Sequence, residues 1–231
     1  MTLAAGVVVA IVVWTVSLIG PIRWRALVYS LPLPITLVLV TSDITVDGSQ
    51  LLGVVGLNVF FGVVTLLHSR LGLHIAPAVA AGVAGYIALS LLIGAFAPIP
   101  FWPTLLVVVT GWVVATVILP TPPARAAAEP ARSGNPIVKL GTVLSASLLM
   151  VALGGLLRGL VVTFPYAGIL VAVETRRQLI AFSQHFARNS IGLVVFFAGY
   201  QLFDRWGEPL ALTAGWLAFT CTALTLHLRR S

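Results

Sequence analysis

The sequence predicts an all-α polytopic membrane protein of about nine transmembrane helices, arranged as two inverted four-helix repeats joined by a linker helix. Three observations carry that expectation. The 231 residues are 59% hydrophobic and only 8% charged, with a mean hydropathy of +1.09, whereas a soluble domain of this size exposes far more charge. Apolar runs recur along the whole chain instead of forming one anchor. One unusual stretch also occurs twice, as RWRALVYSLPLPITLVLV from Arg23 and as LLRGLVVTFPYAGILVAVE from Leu156. At an offset of 133, Arg25 falls on Arg158, Ser30 on Thr163 and Pro32 on Pro165.

Nine spans follow in order, roughly 3–19, 25–41, 51–67, 75–96, 101–119, 137–153, 157–174, 189–203 and 208–226. The first lacks the basic leading region and small-x-small cleavage site of a signal peptide and reads as a retained span. The second and seventh carry proline near their middle. Proline lacks the backbone N–H and clashes with the preceding turn, so both are expected as broken helices. The third holds Asn58 and Phe60–Phe61, and the fourth is rich in small residues around Gly82 and Tyr86 that permit close helix contact. The segment Thr121–Pro136, TPPARAAAEPARSGNP, has no apolar periodicity and reads as a flexible linker. The chain therefore divides into a first repeat at 1–96, a linker span at 97–120, a cytoplasmic linker at 121–136 and a second repeat at 137–231.

The second half replays the first. Phe196–Phe197 answers Phe60–Phe61 after a three-residue shift that places an insertion in 175–188. Arg205–Trp206–Gly207 then answers Arg70–Leu71–Gly72, and Ala214–Gly215 answers Ala81–Gly82. Four spans per repeat with one span between them send the second repeat in from the opposite side, as in many secondary transporters. With nine spans, eleven of the thirteen basic residues fall on one side and only Arg158 and Arg205 on the other. By the positive-inside rule the N terminus is outside and the C terminus cytoplasmic. Arginine outnumbers lysine twelve to one (Lys139), and Ala, Val and Gly abound, a composition associated with a GC-rich bacterial genome; the expected location is the bacterial inner membrane.

The pattern SLPLPITLVLVTSDITVDGSQLLG followed by a Phe-Phe span resembles GlpM-like small bacterial membrane proteins. The resemblance covers about 25–95 and, less closely, 158–225, where a basic turn replaces the acidic one. It implies a four-span unit, here fused as a duplication, and carries no settled activity.

The net charge of +7 is spread over span ends and does not form a patch, which argues for topology signals and against nucleic-acid binding. Cys221 is the single cysteine, so neither an intrachain disulfide nor a thiolate metal cluster is expected. Neither cofactor nor metal is called for: His185 stands alone, and His68 and His74 flank Arg70 without a ligand motif. No hydrolase, zinc-protease or phosphate-loop motif is present, so an enzyme is not expected.

The candidate binding residues are those that put hydroxyls, amides, free carbonyls or charge inside apolar spans: Ser30, Pro32, Thr36, Asn58, Arg158, Thr163, Pro165, Tyr166, Glu174 and Asn189. Broken helices in corresponding places of two repeats point to a transporter's central site. A deep arginine such as Arg158 pairs with a carboxylate or receives an anion, unless it snorkels to lipid phosphate. Against these readings stand a plain packing kink at each proline, surface pairing of Glu174 with Arg177, and helix–helix bonding by Asn58 and Asn189. The expected function is a small secondary transporter or exporter of a solute or ion, with an anion favoured by Arg158. It works in the lipid bilayer as a monomer or homodimer. The alternatives are a membrane scaffold or accessory subunit of a cell-envelope system, or a lipid-carrier flippase.

Overall fold

The computed structural model describes residues 22–41, 45–96, 98–118 and 163–228. The spans expected at 3–19 and 137–153, the linker 121–136 and Arg158 lie outside them. The described residues are helical without strands, in the order α1 (Ile22–Tyr29), α2 (Leu33–Thr41), α3 (Gly48–Thr65), α4 (Ile75–Ala95), α5 (Phe101–Ile118), α6 (Tyr166–Glu174), α7 (Leu179–Asn189), α8 (Ile191–Phe203) and α9 (Glu208–Leu228). Four helical segments are long and apolar enough to cross a membrane: Gly48–Arg70, Ile75–Ala95, Phe101–Ile118 and Glu208–Leu226. These four are what a bilayer of ~30 Å hydrocarbon thickness requires of a spanning element.

The span expected at 25–41 is two helices, α1 and α2, interrupted at Ser30–Pro32. Ser30 closes α1 by donating its hydroxyl to the Leu27 carbonyl at 2.6 Å, and Thr36 opens α2 by donating to the Pro32 carbonyl at 2.8 Å. Each hydroxyl shares its carbonyl with the same residue's N–H, Ser30 N–H on Leu27 at 3.0 Å and Thr36 N–H on Pro32 at 2.8 Å, so the two helix ends flanking the break are closed locally. α3 begins three residues earlier than its apolar run because Asp47 caps it. Asp47 accepts from the Ser49 N–H and its own N–H donates to Gln50 Oε1, both at 2.7 Å.

The segment 175–188, where the comparison of the halves places an insertion and where the amphipathic pattern around His185 and Arg188 predicts an interfacial helix or a re-entrant piece, contains α7, an amphipathic helix that buries Phe182, His185, Phe186 and Arg188. Its apolar face had no place in a four-span count, yet it is the face that packs on α1 and α3.

The two most extensive helix pairings are the antiparallel hairpins α3–α4 and α8–α9. Each is closed by reciprocal glycine–aromatic contacts. A methyl group on Gly56 would come within 2.8 Å of the Tyr86 ring and one on Gly82 within 2.9 Å of the Phe60 ring. In the second hairpin, one on Gly192 would meet the Phe219 ring at 2.8 Å and one on Gly215 the Phe196 ring at 3.0 Å. Absence of a side chain at these four glycines lets the aromatic rings lie against the facing backbone. Each hairpin also turns at a glycine in the left-handed region, Gly72 at φ 70° and Gly207 at φ 105°. Tyr86, Phe60, Phe196 and Phe197 are fully buried as a result.

Candidate functional site

Both prolines lie inside the protein. Pro32, Pro165, Ser30 and Thr163 are all buried. Ile35 and Leu39 of α2 share one apolar core with Phe164 and with Leu170 of α6. Thr163 approaches α3 so closely that a side chain on Gly53 would overlap its Oγ1. From there its hydroxyl is hydrogen-bonded to the Tyr86 hydroxyl of α4 at 2.8 Å, while Phe164 meets the Tyr86 ring edge-on at 5.6 Å. The other break reaches α9: Trp216 Nε1 donates to Thr36 Oγ1 at 3.0 Å. Each break therefore engages the last helix of the opposite hairpin through a polar tip that an apolar interior obliges to find a partner.

The remaining candidate residues divide. Asn58, half-buried on α3, donates to the Val54 carbonyl at 2.9 Å and to Ser190 Oγ at 3.1 Å, joining α3 to the α7–α8 junction. This is helix–helix bonding, and Asn58 Oδ1 is buried without a partner. Asn189 is buried beside Ser190 at the end of α7. Glu174 ends α6, half-buried, next to Thr175, whose hydroxyl donates to the Val171 carbonyl at 2.7 Å. Tyr166 begins α6 directly after Pro165. Asn58 thus bonds α3 to the α7–α8 junction and Asn189 ends α7, whereas Ser30, Thr36, Thr163 and Pro165 sit at the breaks.

A second feature was not expected. Between α3, α5 and α7 runs a half-open groove of 880 Å³, reaching from Leu52 to Arg70 along α3. Polar pairs cross its floor: Thr65 Oγ1 to Ser183 Oγ at 2.8 Å, Ser183 to the Phe61 carbonyl at 3.3 Å, and Trp112 Nε1 to the Ala187 carbonyl at 2.9 Å. At one end α3 widens into a π-turn, Leu66–Arg70, closed by the Leu71 N–H on the Leu66 carbonyl at 3.1 Å. The His68 ring holds the turn through the Leu73 carbonyl at 2.7 Å. Trp112, Thr65 and Ser183 could have been flagged in the sequence only by the rule that a polar tip in an apolar span needs a partner; their mutual positions carry no local signal.

No family model matches the chain, and no curated protein or solved structure matches it either.

Proposed function

We propose that this chain is a small secondary transporter, made of two inverted repeats in a nine-span membrane protein, whose central site lies at the two proline-broken helices. The observation that carries this reading is the crossed bonding of the breaks: Thr163 to Tyr86 of the first hairpin, and Thr36 to Trp216 of the second. Broken helices at a repeat interface are where transporters coordinate solutes and ions, because free carbonyls and half-helix ends can be met there by the cargo. Duplication is supported by the hairpins. Gly56 and Phe60 correspond to Gly192 and Phe196 at an offset of 136, and Gly82 and Tyr86 to Gly215 and Phe219 at 133, so the same contacts recur with the same partners. The similarity to GlpM-like four-span units fits a fused pair of such units. Cargo is a small solute or ion, with an anion preferred on account of Arg158.

Flux measurements test this. Proteoliposomes holding the full chain, examined by solid-supported-membrane electrophysiology in gradients of small carboxylates, phosphate, monovalent cations and quaternary amines, should give a saturable current with at least one class. Thr163→Val should reduce that current. Currents no larger than those of empty liposomes across the panel would favour a membrane scaffold.

A further inference from the structure

The groove beside α5 has a chemistry of its own, distinct from the proline breaks. Its floor is polar in composition but not in character. Asn58, Thr65, Ser183, Ser190 and Trp112 spend their donors on one another or on the Val54, Phe61 and Ala187 carbonyls. What faces the lumen is therefore largely hydrocarbon, and its rim is set by the exposed side chains of Val55, Leu66 and Val107. A polar solute entering such a groove would lose hydration without gaining partners. A hydrocarbon chain would lose nothing.

Cationic charge is confined to one end. In an uninterrupted α-helix of 3.6 residues per turn, Ser69 and not Arg70 would share the face of Asn58, Gly62 and Thr65. The π-turn at Leu66–Arg70 inserts one residue into that register and brings Arg70 onto the groove, a use of π-turns common at functional positions. Arg70 is exposed, and no carboxylate among the described residues pairs with it. Gln184 also lines the groove and brings a side-chain amide to it. Leu52 of α3 and Arg70 at the end of the π-turn stand eighteen residues apart, on the order of 25 Å at the helical rise. That exceeds the ~15 Å depth of one leaflet's hydrocarbon.

We propose that this groove binds an anionic membrane phospholipid, with one acyl chain along α3 and α5, the phosphate on the Arg70 guanidinium and an ester carbonyl within reach of the Gln184 amide. The basic asymmetry of the chain puts Arg70 at the cytoplasmic leaflet, where anionic lipid is concentrated. The guanidinium fork suits a phosphate by charge and by geometry. The assignment takes its ligand from the groove and its leaflet from the proposed nine-span topology, and it holds whether or not the breaks carry a solute.

Gly62 and Gly111 supply the test, because both line the groove and a methyl group on either meets nothing within 4 Å. A larger side chain at either position starts from open space at its first carbon and extends toward the groove. Full-length protein in detergent would be mixed with equimolar phosphatidylglycerol and phosphatidylcholine, and the retained lipid identified by native mass spectrometry. The wild type should retain phosphatidylglycerol by at least about tenfold, the ratio expected of one charge-assisted contact. Arg70→Gln should lose that preference, and Gly62→Leu with Gly111→Leu should lose the bound lipid. Gly85→Leu, equally unobstructed but on α4 away from the groove, should keep both. If the double variant melts early, Gly111→Leu alone, on the largely exposed α5, answers the same question. Equal retention of the two lipids, a preference that survives Arg70→Gln, or lipid that stays in the filled groove would each overturn the assignment.

Discussion

Gly82 and Gly85 lie three residues apart on α4, yet alanine should act on them with opposite sign. A methyl group on Gly82 would stand 2.7 Å from Val64 Cγ2 and 2.9 and 3.1 Å from the Phe60 ring. Both neighbours are wholly buried and have no space to retreat into. Overpacking of this kind costs about 1–3 kcal/mol, and the better helix propensity of alanine returns up to about 1 kcal/mol. The net expectation for Gly82→Ala is a destabilisation of about 0–2 kcal/mol. Gly215→Ala should fall in the upper half of that range, because one obstacle is the Phe196 carbonyl oxygen at 2.9 Å, which belongs to a backbone that cannot swing aside. Gly85→Ala meets nothing within 4 Å and should stabilise by up to about 1 kcal/mol. Unfolding of the purified protein by steric trapping in bicelles would rank the three. Equal shifts of one sign at Gly82 and Gly85 would refute the reciprocal glycine–aromatic packing and, with it, the equivalence of the two hairpins.

Three further outcomes are expected. Tyr86→Phe keeps the ring against Gly56 and Phe164 but deletes the bond to Thr163, so stability should fall by about 0.5–1.5 kcal/mol in the same unfolding assay. Asp47→Ala should fray the first turn of α3, at about 0.5–2 kcal/mol, whereas Asp47→Asn should retain the cap; amide hydrogen exchange over Gly48–Leu52 reads the difference directly. Arg158→Lys should impair flux or ligand stabilisation more than Arg25→Lys does, since lysine preserves a topology charge but not a planar five-donor fork.

What the sequence disclosed depended on whether a rule was local. The proline breaks were readable because proline dictates backbone behaviour by itself: the structure puts α1 and α2 on either side of the first and starts α6 directly after the second. The recurrence of Phe-Phe and Ala-Gly was readable as letters, but its physical reason was not. That reason pairs Gly56 with Tyr86 and Gly192 with Phe219, a matter of which residues face each other across a hairpin. Asn58 was foreseen as a helix–helix donor, though not its partner Ser190. α7 was legible as an amphipathic segment around His185 and Arg188, but not which way it packs, because such a segment looks the same whether it lies on a membrane or folds back into the protein. The groove left no trace at all, since its walls come from three distant segments. Arg70 enters it only through a π-turn, an irregularity that apolar periodicity does not announce.

The transport reading is tested most directly by asking whether the buried breaks open to both sides of the membrane. In a Cys221→Ser background, single Ser30→Cys and Thr163→Cys variants place a thiol where the native side chains are 0% and 2% exposed. Their reaction with an impermeant maleimide would be followed in right-side-out and inside-out vesicles. An alternating-access protein exposes the site in turn, so slow labelling from each side is predicted. Protection from both sides, with the same protein labelled fully after denaturation, would describe a static bundle and contradict the transporter.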